Sequence, residues 1–462
     1  MTTAAIVALL VSVLCYWLSG ARSAVYLAHF CAYVPFITLD ARPGGLVGVD
    51  GLDGGNVRFK LGVRLVCSLI LLACLARQRR SLQTIFRVRH LPVILLFAWS
   101  VLWIHRSQDS WIALARLGEL IVFFLSGIAL VLEAAQYKTA RTIARWHALA
   151  IGSLPLMALY FWQSSPQLAS HVDASGLMRL GHKFLNANSL GFASTVLCLW
   201  AASELARPSP RRSLAKPALC DRLLPLAFLA IGATVLFASR SRTAFAALVV
   251  GLAIVHWPRR GFSYAQVVGL SAALLALAFA HVGLTEWILR GESATSLSSG
   301  TGRTGLWSAL LQEQVPKASM GGAGYLMLSE NGGFQHVGRV WNNAHNTYIG
   351  ALVAVGIPGL LCVLAIVWMP LQAARRQALG AWANGDAEER AGWTLIYALT
   401  AAVAIASITG FGVAGYPNPL MHFHYGLYAY VLAAEPIGKS IAIGPRKKDS
   451  VASDAPIRSQ AA

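Results

Sequence analysis

The sequence predicts an all-α polytopic membrane protein with about twelve transmembrane helices. Of its 462 residues, 56% are hydrophobic and only 12% are charged, whereas a soluble domain has about 25% charged residues. Mean hydropathy is +0.58, and apolar runs near the length that crosses a bilayer recur along the chain. Lipid offers no hydrogen bonds to an exposed backbone, so these runs are expected to be helices.

Thirteen apolar runs, separated by mostly short polar connections, are candidate spans. They cover residues 3–20, 24–39, 61–76, 91–105, 112–134, 147–163, 189–206, 222–239, 243–257, 263–282, 346–370, 391–411 and 420–435. Twelve or thirteen spans fit, because only a short segment with Arg22 separates the first two runs and one of them can be a half-helix. The first run lacks a basic segment and a small-residue cleavage site, so it is expected to remain as a helix.

Lysine and arginine concentrate in alternate connections, which predicts the orientation of the chain. The basic segments are 77–89, 138–145, 207–222, 259–260, 375–390 and 439–458. Cytoplasmic loops carry the excess of basic residues, so these segments are expected inside. The net charge of +19 is then explained by topology and by contact with membrane lipids, and no nucleic-acid partner is expected.

The same orientation divides the chain into two parts. Residues 1–435 are expected to form a transmembrane domain, which includes a long extracytoplasmic loop at 283–345. Residues 436–462 are polar and rich in small residues, which predicts a disordered cytoplasmic tail. Within the long loop, the segment GLWSALLQEQ predicts a short helix along the membrane surface, and the glycines of MGGAGY and ENGGF predict turns.

The segment SRSRT, residues 239–243, is the first of four candidate site segments on the extracytoplasmic side. The apolar run after it would be about 22 Å long as a helix, against about 30 Å for the hydrocarbon core. Arg240 and Arg242 are therefore expected at or below the headgroups, where a charge needs a partner. Arginine binds phosphate with two parallel hydrogen bonds. The alternative is that both side chains extend to the interface without binding a ligand.

Arg303 is the second candidate, in the glycine-rich segment SGTGRTGLW. Glycines permit close approach of an anion to backbone amides. The alternative is an ordinary loop arginine paired with Glu292, Glu313 or Glu330. The loop contains no aspartate and the chain has no Asp-x-Asp, the kind of carboxylate pair that holds a hard cation. Arginines are therefore expected to neutralise a departing diphosphate, and no metal and no cofactor are expected.

His345 is the third candidate, because it lies where the chain re-enters an apolar run. A neutral imidazole accepts a proton from a hydroxyl group at neutral pH. The next residue, Asn346, is a good N-cap for the following helix and a candidate substrate contact. The alternative for His345 is a capping or interfacial role.

Arg179, His182 and Lys183 form the fourth candidate group, just before a span that starts near residue 189. Arg179 and Lys183 are candidate contacts to a phosphate or a sugar hydroxyl, and the alternative is a simple rim of charge. Asn186 and Asn188 are candidate N-caps for that span.

Taken in order, these segments resemble the O-antigen ligase superfamily. The resemblance rests on S-R-x-R, G-R-x-x-x-W, and H-N-x-Y followed by G-I-P-G, and it covers roughly residues 181–361. The superfamily includes lipopolysaccharide core–O-antigen ligases, O-antigen polymerases and protein O-oligosaccharyltransferases of Gram-negative bacteria. The resemblance implies a GT-C-type glycosyltransferase fold in the inner membrane. It also implies a donor in which undecaprenyl diphosphate carries the glycan, with no metal or nucleotide.

By the same resemblance, His345 would be the general base at the periplasmic face, and Arg240, Arg242 and Arg303 would hold the diphosphate. Ligation to a lipid A–core acceptor is favoured, because the loop is modest and no soluble C-terminal domain is expected. A polymerase and a protein oligosaccharyltransferase remain alternatives. A transporter or flippase for an anionic lipid is an alternative of a different class, although the sequence has no evident internal repeat.

Overall fold

The structure is a computed structural model and it describes most of the apolar runs. The described residues are 2–19, 87–107, 110–134, 139–172, 178–181, 186–206, 219–256, 303–318, 320–325, 334–336, 339–341, 344–408 and 419–434, with isolated positions at 27 and between 66 and 76. The candidate spans at 24–39 and 263–282, most of 61–76, and the tail lie outside the described residues.

Every candidate span within the described residues contains a helix. The longer helices are α1 (Thr2–Ser19), α2 (Leu91–Leu102), α3 (Ser110–Ala134), α4 (Ala140–Ser164), α5 (Ala187–Leu205), α6 (Leu219–Ser239), α7 (Arg242–His256), α8 (Arg303–Ala309), α9 (Thr347–Asn384), α10 (Ala387–Ile408) and α11 (Pro419–Ala434). Short helical turns also lie at Val88–His90, Ile104–Arg106 and Pro166–Ala169. Among the described residues, four segments are long and apolar enough to cross a membrane: Ala113–Glu133, Arg222–Ser239, Thr347–Asn384 and Ala387–Ile408. The all-α membrane class is confirmed, and the count of twelve spans stays a prediction.

The long loop contains the short helix that the sequence predicts. It runs through α8, a π-helical turn at Leu310–Gln314 and a further turn at Val315–Ala318. Two small antiparallel hairpins were not predicted. They pair β1 (Ser170–Val172) with β2 (Met178–Leu180), and β3 (Phe334–His336) with β4 (Arg339–Trp341). Each strand has three residues, which is too short for a visible alternation of polar and apolar residues.

Helix α5 lies at the centre of the bundle, packed against α4, α6, α7 and α10. It is buried on every side, as a helix that is apolar all round should be. Helices α5 and α7 run parallel: Gly191 faces the start of α7, whereas Leu199 packs on Gly251 near its end. The hydroxyl of Thr195 donates a hydrogen bond to the carbonyl of Ala244, and the two oxygens lie 2.7 Å apart. The start of α7 is therefore held directly by the core.

Arg141 defines one end of the bundle. Its Nε donates to Glu204 Oε1 at 2.9 Å, and its Nη1 lies 2.9 and 3.0 Å from the two carboxylate oxygens of Glu388. The end of α5 and the starts of α4 and α10 therefore meet there. Because α9 leads directly into α10, the start of α9 lies at the opposite end, together with the start of α7. We call that opposite end the site end.

Helix α9 is kinked near its start, a feature absent from the sequence-based expectations. Gly356 has a φ of +70° inside the helix. Pro358 has no N–H and cannot donate to the carbonyl of Ala354. The N–H of Gly324 donates to that carbonyl instead, at 3.1 Å, and Ala323 donates to Val353 at 2.7 Å. The predicted MGGAGY turn is confirmed, and it replaces the helical hydrogen bonds that the kink removes.

Candidate active site

The SRSRT segment is a tight connection between α6 and α7. The side chains of Ser239 and Ser241 are fully buried. Ser239 Oγ donates to the carbonyl of Leu236 at 2.7 Å, and Ser241 Oγ accepts from the N–H of Ala244 at 3.4 Å. The serines therefore build the turn, and the side chains of Arg240 and Arg242 are half-buried at its surface.

Arg240 has a left-handed backbone conformation with a φ of 51°. It follows the last residue of α6, and its N–H donates to the carbonyl of Phe237 at 3.0 Å. Glycine is the usual residue at this left-handed position after a helix, and another residue there costs about 1–3 kcal/mol. Arg240 and His345 are the two non-glycine residues with positive φ in the described part of the chain. Both are site candidates from the sequence alone.

The structure brings Arg179 to the SRSRT turn. Its Nε and Nη2 donate to the carbonyl of Ser239, at 3.2 and 3.0 Å. Two of its N–H groups are thus used to fix the residue immediately before Arg240. No local pattern indicates this contact, because the partner of Arg179 lies 60 positions further along the chain.

The residues between Arg179 and α5 are only partly described. His182 and Lys183 lie outside the described residues, so the predicted contact from Lys183 stays a prediction. The predicted cap at Asn186 is confirmed, since its Oδ1 accepts from the N–H of Asn188 at 2.8 Å. Asn188 itself lies inside the helix, so it is not the cap.

The second turn precedes α9. The predicted N-cap Asn346 is confirmed: its Oδ1 accepts from the N–H groups of Tyr348 and Ile349, at 2.9 and 3.1 Å. Its carboxamide oxygen is thus used by the helix, and its substrate contact stays a prediction. His345 comes immediately before this cap, with a φ of 51°. The cap and the left-handed residue together set where the imidazole lies.

Trp307 connects the long loop to this turn. Its indole N–H donates to the carbonyl of Ala344 at 2.7 Å. Beneath this contact, α8 and the π-helical turn pack on the start of α9 through a small apolar cluster of Leu306, Ala309, Leu310, Phe334, Ala344 and Val353. The sequence placed Trp307 in a motif with Arg303, but it did not indicate the hydrogen bond to the residue before His345.

Arg303 and His345 come together at the site end. Arg303 lies four residues before Trp307 in α8, so the two share one face of the helix. Burial, and after it the charge of Arg303, lowers the pKa of His345 from 6.5 to about 4. His345 is therefore uncharged at pH 7, with a guanidinium close enough to affect it.

A helical membrane bundle with arginines and a neutral imidazole at one end is suited to an anionic substrate and to proton transfer. Residues 227–364 match the family described as O-antigen ligase, which confirms the resemblance to the O-antigen ligase superfamily. The matched region contains Arg240, Arg242, Arg303 and His345. No curated protein shows a significant match to the chain.

The family match indicates the general kind of reaction. It supports an enzyme of the glycosyl-transfer kind that acts in O-antigen or lipopolysaccharide processing. The general substrates of such a family are a lipid-linked glycan and a lipid acceptor. The apolar helices and the family together indicate a multi-pass bacterial membrane protein.

Proposed function

We propose that this protein transfers an O-antigen glycan from undecaprenyl diphosphate to a hydroxyl group of lipid A–core, without a metal ion. The observation that carries the proposal is the hydrogen bond from Trp307 to the carbonyl of Ala344, which joins the helix that begins at Arg303 to the turn of the uncharged His345. Arg303 and His345 supply two requirements of glycosyl transfer from a lipid diphosphate: charge stabilisation of the leaving group and a base for the acceptor.

The proposed reaction is a single displacement. His345 removes the proton of the acceptor hydroxyl, whose oxygen forms a bond to the anomeric carbon of the glycan. The bond between that carbon and the diphosphate oxygen breaks, and undecaprenyl diphosphate leaves with the bonding electron pair. Arg240, Arg242 and Arg303 stabilise its negative charge. Direct displacement inverts the anomeric configuration, and the proton ends on the imidazole.

The low pKa of His345 makes proton transfer dependent on the glycan donor. A general base works best when its pKa lies near the working pH, and a pKa of about 4 is low for this role. Burial is the larger cause of this low pKa, and a bound diphosphate beside Arg303 offsets the second cause, the positive charge of the guanidinium. Binding of the lipid-linked glycan therefore raises the basicity of His345 when the acceptor needs it.

The proposed location is the bacterial inner membrane, with the site end at the periplasmic face. The basic segments support this orientation. Arg141, in one of those segments, lies at the end of the bundle opposite Arg240 and His345. By the positive-inside rule the Arg141 end is cytoplasmic, which leaves the site end facing the periplasm.

The test is glycan transfer by the purified protein in proteoliposomes. Lipid-linked glycan is supplied with lipid A–core, with a second lipid-linked glycan, or with a pilin-like protein, and products are separated by gel and mass. Ligation should appear with lipid A–core and persist in EDTA. Product with either other acceptor alone would make the protein a polymerase or a protein oligosaccharyltransferase. Translocation of lipid without any transfer would overturn the enzymatic proposal in favour of a flippase.

A further inference from the structure

Two backbone carbonyls at the site end are held in the same way. Arg179 donates to the carbonyl of Ser239, which comes immediately before the left-handed Arg240. Trp307 donates to the carbonyl of Ala344, which comes immediately before the left-handed His345. We call such a contact a carbonyl clamp: a side-chain N–H from a distant element donates to the carbonyl that precedes a left-handed residue.

A carbonyl clamp controls φ of the residue that follows it. The peptide group is a rigid plane, and φ is the rotation that relates this plane to the next Cα and its side chain. A side-chain hydrogen bond to the carbonyl resists rotation of this plane, and it therefore opposes the peptide flip that would bring φ of the next residue to a negative value. The side chain of that residue is then held in one direction, despite a conformation that L-residues disfavour.

A third clamp in the described residues has the same geometry but no side chain to direct. The indole N–H of Trp99 donates to the carbonyl of Val355 at 2.9 Å, and the next residue is Gly356, with a φ of 70°. Glycine adopts positive φ without a steric cost. Trp99 and Trp307 therefore make the same bond, and only Trp307 acts on a residue with a functional side chain.

We propose that Arg179 and Trp307 are positioning residues for glycosyl transfer, an inference that rests on the function proposed above. Arg179 holds Arg240 in the direction that binds the donor diphosphate, so its loss weakens binding of the glycan donor. Trp307 holds His345 in the direction that meets the acceptor hydroxyl, so its loss slows proton transfer. The two clamps are therefore expected to affect different kinetic constants.

The experiment compares Arg179→Gln, Trp307→Phe and Trp99→Phe in the transfer assay with wild-type protein in proteoliposomes. Small misplacements of reacting groups cost up to about 100-fold. We expect Trp307→Phe to lower kcat about tenfold or more, with KM for lipid-linked glycan within about twofold of wild type. We expect Arg179→Gln to raise that KM by a similar factor, while Arg179→Lys, which keeps an N–H donor, recovers part of the affinity.

Trp99→Phe is the matched control, because it removes an indole N–H from the same kind of clamp. It should lower the thermal midpoint about as much as Trp307→Phe and leave kcat and KM near wild type. Equal losses of kcat in the two tryptophan variants would overturn the Trp307 role. Equal increases of KM in Arg179→Gln and Arg179→Lys would overturn the role of Arg179. This comparison tests the proposal even if Trp307→Phe does not fold.

The failure of this inference differs from the failure of the proposed function. Wild-type kinetics in Arg179→Gln and Trp307→Phe, alongside an inactive His345→Ala, would overturn the clamps and leave glycosyl transfer intact. A fully active His345→Ala would overturn the base role of His345 and the Trp307 clamp with it. A wild-type protein that transfers no glycan to any acceptor would overturn the proposed function and both clamps.

Discussion

The arginine turn at Arg240 and the histidine turn at His345 share a backbone conformation but are supported by different parts of the molecule. The arginine turn is built into the transmembrane bundle: Gly191 of α5 lies against Ser241, and a Cβ at Gly191 would come within 2.6 Å of Ser241 Cβ. The histidine turn depends on the long loop, through Trp307 and the apolar cluster beneath it. Arg240, one of the three proposed diphosphate ligands, is thus part of the bundle, whereas the proposed base is held by the loop.

This difference separates binding from chemistry. Changes at Trp307 should affect proton transfer more than binding of the lipid diphosphate, because Arg240 and Arg242 lie in the arginine turn, which is fixed by contacts inside the bundle. Changes near Arg240 should affect binding of the glycan donor first. Substitutions in the two turns test whether effects on proton transfer and effects on donor binding are separate.

Removing the imidazole should have the largest effect. General-base catalysis contributes about 100- to 10,000-fold, so His345→Ala should lower kcat by a factor in this range. Binding of lipid-linked glycan should change little, because the diphosphate contacts are made by arginines. Single-turnover transfer and an equilibrium binding assay on the same preparation measure the two quantities. A variant that loses binding together with turnover would show that the two turns are not separable.

The next effect distinguishes the two arginines of the SRSRT turn. Arg240 occupies the left-handed position, where glycine would be more stable, whereas Arg242 begins an ordinary helix. Lysine keeps the charge but loses the planar fork, and a hydrogen bond to a charged group contributes about 1.5–3 kcal/mol. Because about 1.4 kcal/mol corresponds to a tenfold change, Arg240→Lys should lower kcat/KM about 10- to 100-fold.

Arg242→Lys is the matched control for that substitution, and it should have a clearly smaller effect. The reverse ranking would mean that Arg242 is the main phosphate ligand and that the strain at Arg240 serves another purpose.

The helices and the N-caps at Asn186 and Asn346 could be predicted from the sequence, because both depend on local signals. Apolar runs define spans, and an asparagine at the start of a run defines a cap, as at Asn346. The contact of Arg179 with Ser239 could not be predicted, since it joins residues far apart in the chain. A left-handed conformation at Arg240 was equally invisible, because arginine has no preference for it.

The kink in α9 is a different case, because the sequence does contain a local signal for it. Pro358 cannot donate to the carbonyl four residues earlier, so a break near Gly356 follows from the V-G-I-P-G segment itself. The local sequence does not indicate which groups donate to the carbonyls of Val353 and Ala354 that the kink leaves without helical donors. Those donors are the N–H groups of Ala323 and Gly324 in the MGGAGY turn.

The pH dependence of glycan transfer tests the electrostatic link between Arg303 in the loop and the histidine turn. The pKa of His345 is lowered to about 4 in the protein, so the imidazole is neutral above that value and protonates only below it. The acidic limb of kcat/KM reports the free enzyme and should fall near pH 4. Burial and the charge of Arg303 both lower this pKa, and Arg303→Gln removes only the charge, which is the smaller cause. The acidic limb should therefore move to higher pH and remain below 6.5.

The profile of kcat provides the control for this prediction. It reports the complex with the glycan donor, in which the diphosphate offsets the charge of Arg303. Its acidic limb in wild-type protein should therefore lie at higher pH than that of kcat/KM. Arg303→Gln should move both limbs to higher pH, because the charge of Arg303 acts on the imidazole in both states. An unchanged limb in this variant would show that Arg303 and His345 are not coupled in the working enzyme.

The smallest effect is on stability, and it tests whether both turns store strain. Glycine in place of Arg240 or His345 relieves a conformation that costs an L-residue about 1–2 kcal/mol. Arg240→Gly should therefore be more stable than Arg240→Ala by about 1 kcal/mol, and the same order should hold for His345→Gly and His345→Ala. Thermal midpoints in one detergent measure the pairs. At Arg242, which has helical geometry, the order should reverse, because glycine is a poorer helix former than alanine. If the alanine variant were the more stable one at all three positions, the left-handed residues would carry no strain. The conformations of Arg240 and His345 would then no longer support a functional role.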